Sequence, residues 1–213
     1  MSFAPTELTT SLRKPEKLRY DAESVHGILD EAYVCHVGYA TDGVPRVLPT
    51  AYCRIGDVVY FHGSTGSRAF LTGRDEGVDV CLTVTIHDGI ILSRSWFHHS
   101  MNYRCVIAHG RALPVTDEVE KRDALAALVD KLAPGRSNDS RPPTDKELAQ
   151  TAVLALRLKE VSVKERTGGP GEEPSDLDLP FWAGTLPISS NFGRPVPDEH
   201  VKVATPVGLP QPS

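Results

Sequence analysis

The chain has 213 residues, a net charge of −5 from 23 Lys and Arg against 28 Asp and Glu, and 40% hydrophobic residues. One domain with extensions fits this length, and a chain of this size buries roughly 70% of its unfolded surface without help from a disulfide or a metal. Scattered positive charges under an acidic balance exclude a broad nucleic-acid surface. With no basic n-region and apolar core at the N-terminus, and no apolar run near the roughly 20 residues of a membrane span, a soluble cytoplasmic protein is expected.

In chain order, residues 1–20 read as an arm. Asp21 or Ser24 caps a helix whose apolar stripe is Val25, Ile28, Leu29 and Ala32. Residues 33–39 form a strand, Thr41-Asp42-Gly43 a turn, and residues 44–54 a second strand. Pro45 and Pro49 demote parts of that strand to an edge or a bulge, since proline has no N–H for a ladder. Gly56-Asp57 turns into the strand Val58-Val59-Tyr60-Phe61, followed by His62-Gly63-Ser64-Thr65-Gly66-Ser67-Arg68. Ala69-Phe70-Leu71 fits a short helix closed by Gly73, and residues 79–86 a strand rich in β-branched side chains. Asp88-Gly89 predicts a hairpin turn between apolar runs, with residues 90–92 continuing into 93–97. Residues 102–113 predict another strand. Residues 117–132 predict an amphipathic helix with Val119, Leu125, Leu128, Val129 and Leu132 on one side. Thr144 opens a capped helical turn, and residues 151–163 make a last strand. Residues 191–213, with five prolines from Gly193 on, read as an extended or disordered tail.

Six or more strands with short turns and few helices predict a mainly β (α+β) fold: an antiparallel barrel with peripheral helices, occupying residues 21–190. Cys35, Cys53, Cys81 and Cys105 lie far apart on strand-like segments and form no Cys-x-x-Cys pair, so buried free thiols are expected.

Three segments carry chemistry. The Gly/Ser loop ending in Ser67-Arg68 combines backbone N–H groups, hydroxyls and a guanidinium, the donor set for a phosphate. It is neither a Walker loop nor a dinucleotide fingerprint. A plain connector is the competing reading. The segment Trp96-Phe97-His98-His99-Ser100-Met101-Asn102-Tyr103-Arg104 is polar and aromatic within a β-rich region. Asn102 and Arg104 share one strand face and suit a ligand with carbonyls and a phosphate, or, for Arg104, a salt bridge. Trp182, in Phe181-Trp182-Ala183-Gly184, docks on its own core, on a neighbouring subunit or on a flat ring. No histidine spacing resembles a zinc site, no metal is expected, and a single axial histidine for a haem leaves no spacing signature.

Together these segments resemble the flavin-binding split-barrel superfamily of pyridoxamine 5′-phosphate oxidase, most closely its flavin-nucleotide-binding and nitroimidazole-resistance branch. The resemblance runs from about Arg13 to Ile188. Ser67-Arg68 match the oxidase's phosphate-gripping run, with Ala69 in place of a Lys. Arg104-Cys105-Val106 with Gly110 match its Arg-x-Val strand, and Trp182-Ala183-Gly184 its Trp-x-Gly. The Arg and His that hold pyridoxal phosphate are replaced by Thr185-Leu186-Pro187-Ile188, so the vitamin B6 activity is not expected.

The resemblance implies an FMN-dependent oxidoreductase, a homodimer with two sites at the subunit interface, acting on a small-molecule substrate or electron donor. Ser67 and Arg68, with Gly63 and Ser64 in the same loop, would bind the phosphate, and Pro49, Thr50 and Ala51 would run beside the flavin ring. Asn102 and Arg104 would meet flavin polar atoms or phosphate, and Trp182 would cover the ring. His62 also matches the branch's pre-loop histidine and is the candidate acid or base. The alternatives are a non-catalytic flavin-binding module and a barrel holding haem or a deazaflavin.

Overall fold

The computed structural model describes residues 2–11, 15–72, 75–203, 205, 206 and 209. Nine strands and four α-helices are found there: β1 (Leu18–Arg19), α1 (Ala22–Glu31), β2 (Val34–Thr41), β3 (Val44–Ile55), β4 (Val58–Ser64), α2 (Arg68–Thr72), β5 (Val78–Leu92), β6 (Ser100–Pro114), α3 (Glu118–Leu132), α4 (Asp145–Gln150), β7 (Thr151–Arg157), β8 (Glu160–Arg166) and β9 (Gly184–Pro187). All strand pairings are antiparallel. Following the partners from β2 through β3, β4, β7, β6 and β5 returns to β2, so six strands close a barrel. β8 and β1 extend the sheet beyond β6, and β9 pairs with the end of β5.

Alternation places the core. Cys35 and Val37 of β2, Tyr52 of β3, Val59 and Phe61 of β4, Leu82 and Val84 of β5, and Val106 of β6 point inward and are buried. α1 packs against β3, β5, β6 and β8, with Val25, Ile28 and Leu29 buried. Its N-cap is Asp21, whose carboxylate accepts from the Ser24 N–H at 2.8 Å. Removing that acceptor in Asp21→Ala is expected to cost about 1 kcal/mol of stability, read as a lower urea midpoint; an unchanged midpoint would contradict the cap's role. α4 carries the expected Thr144 cap as a full capping box with Glu147.

Several expectations change. Asp88-Gly89 is not a hairpin turn: β5 runs straight through it, with a register shift between His87 and Gly89 that leaves Asp88 as a bulge. Asp88 is held there by Arg104, while its carbonyl accepts from the Ile188 N–H beside β9. The reversal lies further on, in residues 93–99, which are not strand but contain a 3-10 turn at Trp96–His98. Residues 151–163 are two strands, β7 and β8, broken at Leu158, whose N–H donates to Asp57. On α3 the buried face is Ala124 and Leu128, whereas Val119 and Leu132 are 67% and 50% exposed. Leu125 and Ala127 pack partly buried against the same cluster, as the expected stripe requires for Leu125 and Leu128. The arm is partly structural, since residues 18–19 form β1 against β8.

Gly73 lies outside the described residues. Cys35, Cys53 and Cys105 are buried, Cys81 is half-buried, and all four are free thiols. No helix among the described residues is long and apolar enough to cross a membrane.

Candidate functional site

β3 and β4 pair only from Tyr52 to Ile55 against Phe61 to Val58. Beyond that point they part: residues 44–51 of β3 continue on β2 alone, and His62, Gly63 and Ser64 continue on β7. The barrel is therefore split along this seam. Proline chemistry helps to explain it. Pro45 and Pro49 lie four residues apart on the same edge, and the ladder to β2 is unbroken through both. Their missing donors thus face the seam, where β4 would otherwise pair. The edge role expected for the two prolines holds.

The split brings Pro49, Thr50 and Ala51 opposite His62, Gly63 and Ser64. Pro49, Ala51 and His62 point to the outer face, under the side of the sheet that carries α3, and Thr50 points inward. Gly63 is packed against α2: a Cβ there would lie 2.3 Å from the Phe70 ring. That contact sets the Ser64–Arg68 turn. Within the turn the Ser67 N–H donates to Ser64 O at 2.8 Å, the Gly66 N–H to Ser64 Oγ at 3.3 Å, and the Thr65 N–H to Gln150 O at 3.2 Å. The loop spends these N–H groups on its own shape. At its end Ser67 is half-buried and Arg68 exposed.

His62 is half-buried, and its Nδ1 is buried without a partner among the described residues. Burial lowers its pKa, which keeps the imidazole neutral near pH 7. A neutral ring with an unfilled nitrogen is suited to hydrogen-bond a polar ligand atom.

A second group lies elsewhere on the sheet. Asn102 donates to Gly168 O at 3.0 Å and accepts from Arg166 at 2.5 Å, so it clasps the loop after β8. Arg104 is gripped by Asp88 at 3.0 and 2.8 Å and by Glu31 at 2.6 and 2.9 Å. The hydrogen bonds it donates to Asp88 and then Glu31 push its pKa further up. Of the two readings of Arg104, the structure supplies the salt bridge, locking the end of α1 to the β5 bulge. Around the closed barrel β2 and β5 separate Arg104 on β6 from β3, and β7 separates it from β4. Trp182 is 64% exposed and folds back on Gly184, where a Cβ would come within 2.8 Å of the indole.

A cavity of about 510 Å³ opens at the end of the outer row that continues from Ala51 to Cys53, between the ends of α1 and α3. Asp30, Tyr33, Arg54, Asp130 and Lys131 line it. Lys131 Nζ donates to Leu29 O at 2.5 Å and sits 3.7 Å from the centre of the Tyr52 ring. Burial lowers its pKa to about 8 despite Asp30. Nothing in the local sequence marks Lys131, because its partners are about 80 and 100 residues away in the chain.

Between pH 8 and the ordinary lysine range the unfolded chain keeps the Lys131 proton and the folded chain does not. This group therefore raises stability as pH rises through that window. The stability of the native protein relative to Lys131→Met should increase from pH 7.5 to 10 in urea titrations, the thiols being common to both. A constant difference would refute the assignment.

A closed antiparallel barrel split at one seam, with a Ser-Arg turn at the seam's end, is a split-barrel architecture. Residues 21–165 match the family model described as pyridoxamine 5′-phosphate oxidase. The chain belongs to that family. It is 39% identical to the flavocytochrome Anf3 from Azotobacter vinelandii, covering 97% of this chain and 96% of that one with a TM-score of 0.90. It is 34% identical to an FAD and heme binding protein from Mycobacterium smegmatis, covering 90% and 93% with a TM-score of 0.83. A protein of Bacteroides thetaiotaomicron described in terms of 5-nitroimidazole antibiotic resistance shares the fold at 20% identity, covering 68% and 83% with a TM-score of 0.56. No curated protein matches the chain.

Proposed function

We propose that this protein is a flavin-nucleotide-dependent oxidoreductase of flavocytochrome type, holding a flavin at the β3–β4 split and a haem besides. The observation that carries this reading is the near full-length similarity to two proteins named for flavin and haem, at 39% and 34% identity. The seam supplies suitable groups. Ser67 and Arg68, with Ser64 beside them, would hold a phosphate, Pro49 and Ala51 offer a flat apolar edge, and the half-buried His62 has a buried, unpartnered Nδ1 beside the seam. The bound flavin would supply the hydride and electron chemistry; the protein binds it, orients it and limits access. His62 is the titratable side chain nearest to that chemistry.

The Mycobacterium smegmatis relative, named for FAD, favours FAD over the FMN implied by the sequence resemblance, and a deazaflavin remains the third candidate. Pyridoxamine phosphate is not the substrate on this reading, because the segment Thr185-Leu186-Pro187-Ile188 offers no cation. A homodimer completes the site. Val34 and Val47, 49% and 67% exposed, stand on the outer face of β2 and β3 beside the split. A partner covering this face would bring a second set of groups to each seam.

The absorption spectrum of freshly purified protein, with mass spectrometry of the heat-released ligand, tests the cofactors. Twin flavin bands and a Soret band together support the proposal. A colourless protein that takes up neither added FMN nor FAD refutes it. Consumption of a reductant coupled to flavin reduction separates an enzyme from a carrier, and light scattering tests the dimer.

A further inference from the structure

The geometry points to Lys131 as an amine nucleophile that captures a neutral aldehyde as an imine, with the cavity between the ends of α1 and α3 holding the aldehyde's body. This site is separate from the Ser64–Arg68 turn and does not depend on the flavin reading.

Lys131 stands in the last turn of α3 and lines the cavity of about 510 Å³. Three of the four positions around its Nζ are taken. Cε holds one, Leu29 O accepts a hydrogen bond at 2.5 Å, and the centre of the Tyr52 ring lies 3.7 Å away. Leu29 O also accepts from the Tyr52 hydroxyl at 2.7 Å, so one carbonyl of α1 fixes both the ring and the amine. Among the described residues no carboxylate lies within ion-pair distance of the nitrogen. Its fourth position, where the lone pair of a neutral amine sits, has no protein partner. A half-buried ammonium without a carboxylate beside it is costly, and the cost falls when the nitrogen gives up a proton.

The charged and titratable groups around the amine come from each element packed on it. Asp30 belongs to α1, Cys35 to β2, Tyr52, Cys53 and Arg54 to β3, and Asp130 precedes Lys131 on α3. Burial, opposed by Asp30 and helped by Arg54, brings the pKa to about 8. About half of the molecules then carry the neutral amine at pH 8, against less than about 1% for an ordinary lysine. Cys53, the other nucleophile on the wall, stays a thiol: its Sγ donates to Ala124 O at 3.3 Å, and burial pushes its pKa up to about 11.

The remaining walls select the ligand. Ala127, Pro134 and the Tyr33 ring supply apolar surface, and Phe192 meets that ring edge-on with centroids 5.9 Å apart. Arg54 is already spent on Asp30, at 3.0 and 2.5 Å, and on Gly56 O at 2.7 Å. Asp130, which accepts from the Ser137 N–H and Oγ at 2.7 and 2.8 Å, adds a second carboxylate to the lining. An aldehyde carrying negative charge would meet these carboxylates with no free arginine to offset them, which favours a neutral one.

The step needs no oxidant, reductant or co-reactant. The nitrogen lone pair forms a C–N bond at the carbonyl carbon. The carbonyl oxygen collects one proton from the amine and one from solvent and leaves as water. The protonated imine keeps one N–H for Leu29 O and its charge over the Tyr52 ring.

The test incubates the full-length protein, as purified, with benzaldehyde and sodium cyanoborohydride, which traps the imine as a stable secondary amine. Peptide mass spectrometry reads the labelling rate at each lysine, with the α-amino group followed separately because it titrates in the same range. Lys121 is the internal comparison, since it lies on the same helix and likewise donates to a main-chain carbonyl, Leu148 O, at 2.7 Å. At pH 8 Lys131 should label at least ~10-fold faster than Lys121, with a rate that levels off above about pH 8. Relative to Lys121, the para-carboxylate derivative of benzaldehyde should label Lys131 more slowly than benzaldehyde does. In Lys131→Arg, which keeps a cation beside Tyr52, the selective labelling should vanish while circular dichroism shows the fold retained. Labelling of Lys131 no faster than of Lys121, or a rate that keeps climbing into the ordinary lysine range, overturns the proposal and leaves Lys131 as a clamp between α1 and α3. A relative preference for the carboxylate derivative overturns the ligand class assigned to the cavity.

Discussion

Arg68→Glu should leave a folded protein that no longer retains its flavin nucleotide. The residue opens α2 at the end of the split, on a turn whose N–H groups at Thr65, Gly66 and Ser67 are already engaged. Phosphate binding on the proposed reading must therefore lean on side chains, and the guanidinium is the strongest of them. Each charge-assisted hydrogen bond contributes about 1.5–3 kcal/mol, and reversing the charge adds repulsion. At ~1.4 kcal/mol per tenfold, the dissociation constant should rise at least ~100-fold. Arg68→Lys should lose less, because an ammonium keeps the charge and forfeits the bidentate fork. Fluorescence titration with FMN and with FAD measures all three proteins. Full retention of flavin in Arg68→Glu would place the phosphate elsewhere.

Gly63→Ala should be the most disruptive single-methyl change at the split. The added Cβ would lie 2.3, 2.8 and 2.9 Å from three atoms of the Phe70 ring. That ring is itself buried against Phe61, with centroids 6.1 Å apart, so it has no free direction in which to retreat. Overpacking of this kind costs about 1–3 kcal/mol. Gly63 is not among the residues with positive φ, so the penalty is steric rather than a matter of backbone strain. Because Phe70 belongs to α2, relief of the clash should displace the helix and the Ser64–Arg68 turn together. The expected result is a lower urea midpoint accompanied by weaker flavin binding. Unchanged stability in Gly63→Ala would mean that the Phe70 contact is looser than the structure shows.

The two predictions probe parts of the site that differ in how legible they were. Ser67-Arg68 stands out in a linear reading because the loop composition itself advertises donors. Gly63 looks like one more loop glycine until Phe70 is seen against it. Likewise Asn102 and Arg104 share a strand face as expected, but their partners, Arg166 and Gly168 for one, Asp88 and Glu31 for the other, come from distant segments. Asp88-Gly89 misled because the dipeptide favours a tight turn locally, while pairing with β6 on one edge and β9 on the other makes a bulge the better solution. Trp182 was expected to dock, and it folds onto Gly184 while leaving most of its surface open.

By itself the sequence determined the strand-rich class, the capped helices at Asp21 and Thr144, the edge character around Pro45 and Pro49, and the family resemblance carried by Ser67-Arg68, Arg104 and Trp182. These are local properties: periodicity, capping chemistry and missing donors act within a few residues. Only the tertiary structure decided where β3 and β4 part, which arginine spends its charge on the fold, and how Lys131 comes to lie over Tyr52. Each of these depends on strand register or on contacts across tens of residues. A shift of one residue in register would turn every side chain to the other face, and no local pattern fixes that choice.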